Sequence, residues 1–126
     1  MCYFNYYGGY GTGIIKFLTD SGSSASCGYS SSTGIFMTQI PGLYYFAIHV
    51  VGWSSKMRIQ ILIDGKFGCK TWSPKISENS AQGTATCSVV RALKVNQKVH
   101  AEVLMGQTNY YSSYSTQDIF QGFLVR

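Results

Sequence analysis

The stretch Ile40-Pro41-Gly42-Leu43-Tyr44-Tyr45-Phe46-Ala47-Ile48-His49-Val50-Val51 decides the fold. Its Pro-Gly pair opens a turn, and the residues after it carry apolar side chains at both odd and even positions. That pattern belongs to an extended segment covered on both faces, the central strand of a two-layer sheet protein. The run is too short and too often broken by polar residues to cross a membrane. Downstream, Met57, Ile59, Ile61 and Ile63 fall on one face of a period-2 ribbon while Arg58 and Gln60 fall on the other. Asp64-Gly65 follows, the dipeptide that best tolerates the positive φ of a tight hairpin turn, and Lys66 to Trp72 reads as the return strand.

Working outward, Ile14 to Thr19, a segment from Phe36, Thr84 to Leu93, Val99 to Met105 and Ile119 to Val125 read as further strands, separated by turn residues. Met1 to Gly13 is rich in Tyr and Gly and is expected to hold at most one irregular edge strand. Asp20 to Thr33 is dominated by Ser, Gly and Thr, with Cys27 and Tyr29 as its anchors. Eight to ten short strands predict an all-β sandwich or jelly roll.

At 126 residues the chain suits one domain, 1–126, able to bury a single core. Only 12% of residues are charged, about half the usual share, so the surface must be largely Ser, Thr, Gln, Asn, Gly and Tyr. Surfaces of that kind bind sugars or pack against copies of themselves. Ten Lys and Arg against five Asp and Glu leave +5. The cations are dispersed rather than clustered on a helix or stripe, which argues against nucleic acid. The first residues lack the charged start and apolar stretch of a secretory signal, and Met1 is read as the start of a mature domain.

Catalytic chemistry finds no foothold. His49 and His100 both sit inside expected strands and begin no motif, and Asp20, Asp64, Glu78, Glu102 and Asp118 are scattered. No enzyme activity and no cofactor are expected. Cys2, Cys27, Cys69 and Cys87 lack the paired spacing of a zinc site, and the scattered acids do not supply the converging carboxylates that calcium needs. No metal site is expected. Four cysteines in a small β domain point to an oxidising compartment and allow three disulfide connectivities. Cys69 with Cys87, in consecutive strands, is the favoured pair, and four reduced thiols stay the alternative.

The spacing Tyr29, Phe36, Gly42, Tyr44, Phe46 and Ile48, with Phe120-Gln121-Gly122-Phe123-Leu124 near the end, resembles the globular C1q domain of the C1q/tumour necrosis factor superfamily. Asp64-Gly65 and Leu93-Lys94-Val95-Asn96-Gln97-Lys98-Val99 extend the match, which runs from about Ile14 to Arg126. The resemblance implies a ten-strand jelly roll that assembles as a homotrimer, is secreted, and works by recognition, most like the single-domain, lectin-like members; where some members bind calcium at the trimer apex, the corresponding Ser77 to Thr86 offers only Glu78, with Asp118 as a residue that three chains on the axis could share. It departs from the family in the long Ser21 to Gly28 segment and in the Tyr-Gly beginning.

Tyr110, Tyr111 and Tyr114 stand beside Asn109 in a polar segment, where a phenol can both stack on a sugar and hydrogen-bond its hydroxyls, and are the first ligand candidates. Trp72 with Lys70 and Lys75, and Trp53 with Lys56 and Arg58, come next, since an indole beside a cation suits an anionic glycan. Tyr45, Phe120 and Phe123 are the candidate trimer-interface residues. Two functions compete: a pattern-recognition lectin for carbohydrate or microbial glycan, and a cytokine-like or adhesion-organising ligand for a cell-surface receptor. An unrelated structural jelly roll is a third reading, open only if the spacing is coincidence.

Overall fold

The structure is a computed structural model, and it describes residues 2–10, 13–20, 27–53, 57–73, 82–105 and 118–126. Ten strands occur among them: β1 Tyr3–Tyr10, β2 Lys16–Asp20, β3 Tyr29–Ser30, β4 Ile35–Met37, β5 Gly42–Trp53, β6 Met57–Ile63, β7 Lys66–Ser73, β8 Gln82–Leu93, β9 Lys98–Met105 and β10 Ile119–Leu124. They form two five-stranded antiparallel sheets, β2-β1-β10-β5-β8 and β3-β4-β9-β6-β7. The described residues contain no helix.

Alternation sets which side chains meet between the layers. Tyr44, Phe46, Ile48 and Val50 of β5 face Ile59, Ile61 and Ile63 of β6 and Val99, Ala101 and Val103 of β9 in one buried cluster. An aromatic group fills the centre: the Phe4 ring lies 5.2 Å from Tyr29, 5.2 Å from Phe36 and 5.1 Å from Phe120, the last edge to face. The β6–β7 turn has φ of 54° at Asp64 and 77° at Gly65, the paired positive values that the dipeptide was expected to supply.

The amino-terminal segment corrects its sequence reading. Tyr3–Tyr10 is an eight-residue strand in the interior of the first sheet, between β2 and β10, not an edge strand, with Gly8 at a φ of 79°. Its inward residues Phe4 and Tyr6 are buried, and the pattern was hidden because Tyr occupies both faces. Gly13 to Ile15 then hydrogen-bonds to β9 of the second sheet (Ile15 N–H to Ala101 O, 2.9 Å; Val103 N–H to Gly13 O, 2.9 Å) before the chain joins the first sheet as β2.

Each lateral side of the sandwich is closed by a cross-layer link. Cys69 of edge strand β7 is bonded to Cys87 of edge strand β8, sealing one side. On the other, the Tyr29 hydroxyl donates to Phe17 O at 2.9 Å and accepts from Phe17 N–H at 2.8 Å, tying β3 to β2. Burial holds the Tyr29 phenol well above its ordinary pKa, opposed only in part by the backbone hydrogen bond. Cys2 and Cys27 form a second disulfide beside it, a pairing that local sequence does not specify.

Candidate functional site

The two outward faces differ in chemistry. On the first sheet, side chains that alternate away from the core fall into cross-strand rows. Tyr3, Phe123, Tyr45 and Val90 make one; Asn5, Gln121, Ala47 and Ser88 the next; Tyr7, Ile119, His49 and Thr86 a third. None of these twelve residues carries a formal charge when His49 is neutral. The Tyr45 and Phe123 rings meet with centroids 5.0 Å apart. Below them lies a shallow depression of about 220 Å³ lined by Asn5, Tyr45, Ala47, His49, Thr86, Ile119 and Gln121, in which the His49 Nδ1 and Thr86 Oγ1 atoms are 2.8 Å apart. Such a face is half apolar and half hydrogen-bonding, with nothing ionic to desolvate on contact.

Tyr45 and Phe123 thus lie together on the outer face. Phe120 does not: it is 0% exposed and packs against Phe4, Phe17 and Tyr29. Phe120 is therefore removed from the candidate interface, because three positions along a strand place it on the opposite face from Phe123. Asp118 is also fully buried, so the single chain does not present its carboxylate to a metal shared on an axis.

The second sheet's outer face carries the charge. Register sets Glu102 of β9, Gln60 of β6 and Lys70 of β7 in one row, and Arg58 opposite Trp72 in the next. Glu102 is held from two sides, accepting from Gln60 Nε2–H at 3.1 Å through Oε1 and lying 3.3 Å from His100 Nε2 through Oε2. The ladder thus brings Arg58, Lys70 and the backbone of Trp72 together on adjacent strands.

Asn109, Tyr110, Tyr111 and Tyr114 lie outside the described residues. Lys56, Lys75 and Glu78 lie outside them too, and Met105, the last described residue before Asn109, pairs with Arg58 at the end of the sandwich where β6 begins. Trp53 pairs with Gln82 and Met57 with Ser73 at that same end. At the opposite end, backbone hydrogen bonds knit the turns: Thr38 N–H to Gln97 O (2.9 Å), Asp64 N–H to Lys98 O (2.6 Å) and Leu43 N–H to Arg126 O (2.9 Å). Among the described residues, no group of three or more His, Cys, Asp or Glu could hold a metal ion, and no helix is long and apolar enough to cross a membrane.

Phe67, 60% exposed on β7, is a residue that sequence reasoning passed over. Its parity beside the Asp64-Gly65 turn was the available signal, masked by a bulge in the β6–β7 ladder.

The model of the C1q domain matches residues 16–125. Complement C1q tumor necrosis factor-related protein 5 of Rattus norvegicus is 33% identical over 106 residues, covering 77% of this chain and 40% of that protein. Complement C1q tumor necrosis factor-related protein 2 of Mus musculus is 26% identical over 99 residues, covering 77% and 33%. The chain thus spans well under half the length of these curated relatives. Among solved structures, the globular domain of zebrafish complement 1qA protein superposes with a TM-score of 0.74 at 18% identity over 100% of this chain and 98% of that one. The Eiger TNF of S. frugiperda gives 0.74 at 8% identity over 99% and 92%. The two-sheet jelly roll is therefore the shared fold, and with its strand order and the family match over most of its length the chain belongs to the C1q-domain family.

Proposed function

We propose that the chain is an extracellular homotrimeric recognition module that binds carbohydrate. One observation carries the assembly: the outward face of the β2-β1-β10-β5-β8 sheet bears three cross-strand rows with no formal charge, although the chain as a whole carries +5. Burying that face around a three-fold axis desolvates phenols, amides and apolar groups but no ion. Two disulfides among four cysteines support an oxidising, extracellular setting. Three copies of a weak sugar site on one rigid body gain avidity, on the order of a hundredfold or more over one site. Tyr110, Tyr111 and Tyr114 with Asn109, and the Arg58, Lys70 and Trp72 ladder, are the sites we assign to the ligand.

Sedimentation at micromolar concentration together with a glycan array tests both halves. A trimer that binds carbohydrate supports the proposal, and a monomer or an array without signal contradicts it. A second reading draws on Leu18, 48% exposed on edge strand β2, and Val90, 54% exposed on edge strand β8. In a trimer these edges would flank grooves between subunits, where exposed apolar side chains suit a protein receptor. An intact trimer that binds no glycan would select that function.

A further inference from the structure

We propose that the outer face of the β6–β7 hairpin is a docking platform for a sulfated or carboxylated polysaccharide, with Phe67 as its stacking residue and Arg58 and Lys70 as its anion-binding groups. This rests on the reading of the chain as a carbohydrate-recognition module and names the ligand class and the residues.

Three observations converge on this surface. The first is Phe67, the most exposed large apolar side chain among the described residues. Its position follows from a bulge: Leu62 pairs with Phe67 and Ile61 with Cys69, which leaves Gly68 as the extra residue. A Cβ at Gly68 would come within 2.8 Å of Ile61 O, so the bulge needs glycine there, and bulges of this kind re-aim neighbouring side chains. Phe67 is thus held outward on a stiff two-stranded ribbon, next to a turn fixed by Asp64 and Gly65.

The second observation is the charge around it. Arg58 and Lys70 are exposed, and neither has an ion-pair partner among the described residues. The third is the treatment of the acid on this ladder. Glu102 is occupied from both sides by Gln60 and His100, so it is already satisfied within its own sheet instead of pairing with Lys70.

A linear polyanion complements this arrangement better than a point ligand. Phe67 opposite Leu62, Lys70 opposite Gln60 and Arg58 opposite Trp72 are successive positions along this face, whereas Lys66 pairs with the core-facing Ile63 and is not part of it. An aromatic ring followed by two charges along a ribbon matches a chain that offers repeated anionic groups and the apolar faces of pyranose rings. Exposed cations also leave the contact open to screening, so the affinity must fall with salt.

The test is binding of the full chain to immobilised heparin, hyaluronan and dextran at 50 and 300 mM NaCl, with folding of every variant checked by circular dichroism and thermal melting. Heparin or hyaluronan should bind and dextran should not, with binding at least about tenfold weaker at the higher salt. Arg58→Gln with Lys70→Gln should lower affinity by about tenfold or more, and Phe67→Ala by about threefold to tenfold without changing the salt dependence. Lys94→Gln, at an exposed position in the β8–β9 turn, should change it less than about twofold. Equal losses for Lys94→Gln and the double variant would overturn the proposal, since attraction would then be diffuse. So would an unchanged affinity for Phe67→Ala, or equal capture by immobilised polyglutamate. If an array shows neutral glycans bound and neither polyanion bound, this platform fails while the carbohydrate reading stands. If no glycan binds at all, both fail.

Discussion

The two outward faces of the sandwich are built from the same strand geometry yet solve opposite problems. Across β1, β10, β5 and β8, the outward rows run Tyr, Phe, Tyr, Val and Asn, Gln, Ala, Ser, with His49 and Thr86 joined at 2.8 Å. Across β9, β6 and β7, the rows carry Glu102, Lys70 and Arg58, and their acid is engaged by Gln60 and His100. A sheet that keeps ions off one face can have that face desolvated cheaply, whereas a face bearing exposed cations stays in water and meets anions there. In the function we propose, that difference separates assembly from recognition on one small domain.

The most damaging way to break the contrast is to move charge onto the uncharged face. Tyr45→Lys should raise the concentration for half-assembly by more than ~100-fold, because three ammonium groups would be buried at once without partners. Lys70→Glu should leave sedimentation unchanged, and an equal effect of the two would erase the distinction. Next in size is the pair Phe120 and Phe123. Phe120→Ala removes a fully buried ring and should cost about 3–5 kcal/mol of folding stability in urea denaturation, while Phe123→Ala should act mainly on assembly and cost the folded monomer about 1 kcal/mol or less.

Smaller effects sharpen the comparison at the lateral sides, where the layers are tied. Cys69→Ser with Cys87→Ser opens a link across 18 residues of sequence and should cost roughly 3 kcal/mol. Tyr29→Phe on the opposite side leaves the buried Phe17 N–H without its acceptor, for about 1–3 kcal/mol. Its pH signature follows from the sign of the shift. The folded phenol titrates above the unfolded value of about 10, so its contribution is complete below about pH 10 and fades as pH rises toward the folded pKa. Denaturation at pH 9 and pH 11 should therefore show a steeper alkaline loss in the parent than in Tyr29→Phe, and parallel losses would refute the buried-phenol assignment.

Much of the fold was legible because alternation was clean where one face was apolar. Met57 to Ile63 appeared as β6 with its expected bounds, and Asp64-Gly65 supplied the positive φ values expected of it. β1 was not legible, since Tyr3, Tyr6 and Tyr7 sit on both faces and an amphipathic phenol satisfies either environment. β3 is two residues long and owes its place to the Tyr29 hydroxyl reaching Phe17, a tertiary contact with no local signal. Cys2 and Cys27 are 25 residues apart in sequence and are joined only by the fold. Parity could have separated Phe120 from Phe123, and it marks Tyr45 as outward once Tyr44 is inward. The ladder that sets Arg58 opposite Trp72 needed the register, which depends on the bulges on either side of β6.

Sedimentation equilibrium of the unmodified chain at micromolar concentration and neutral pH bears most directly on the assembly face. The chain has a mass of 13.9 kDa, and the predicted result is a single species of three times that mass whose proportion falls when Tyr45 is replaced by Lys. A stable 13.9 kDa monomer would contradict the account, because the uncharged rows of the first sheet would then face water with no partner to cover them.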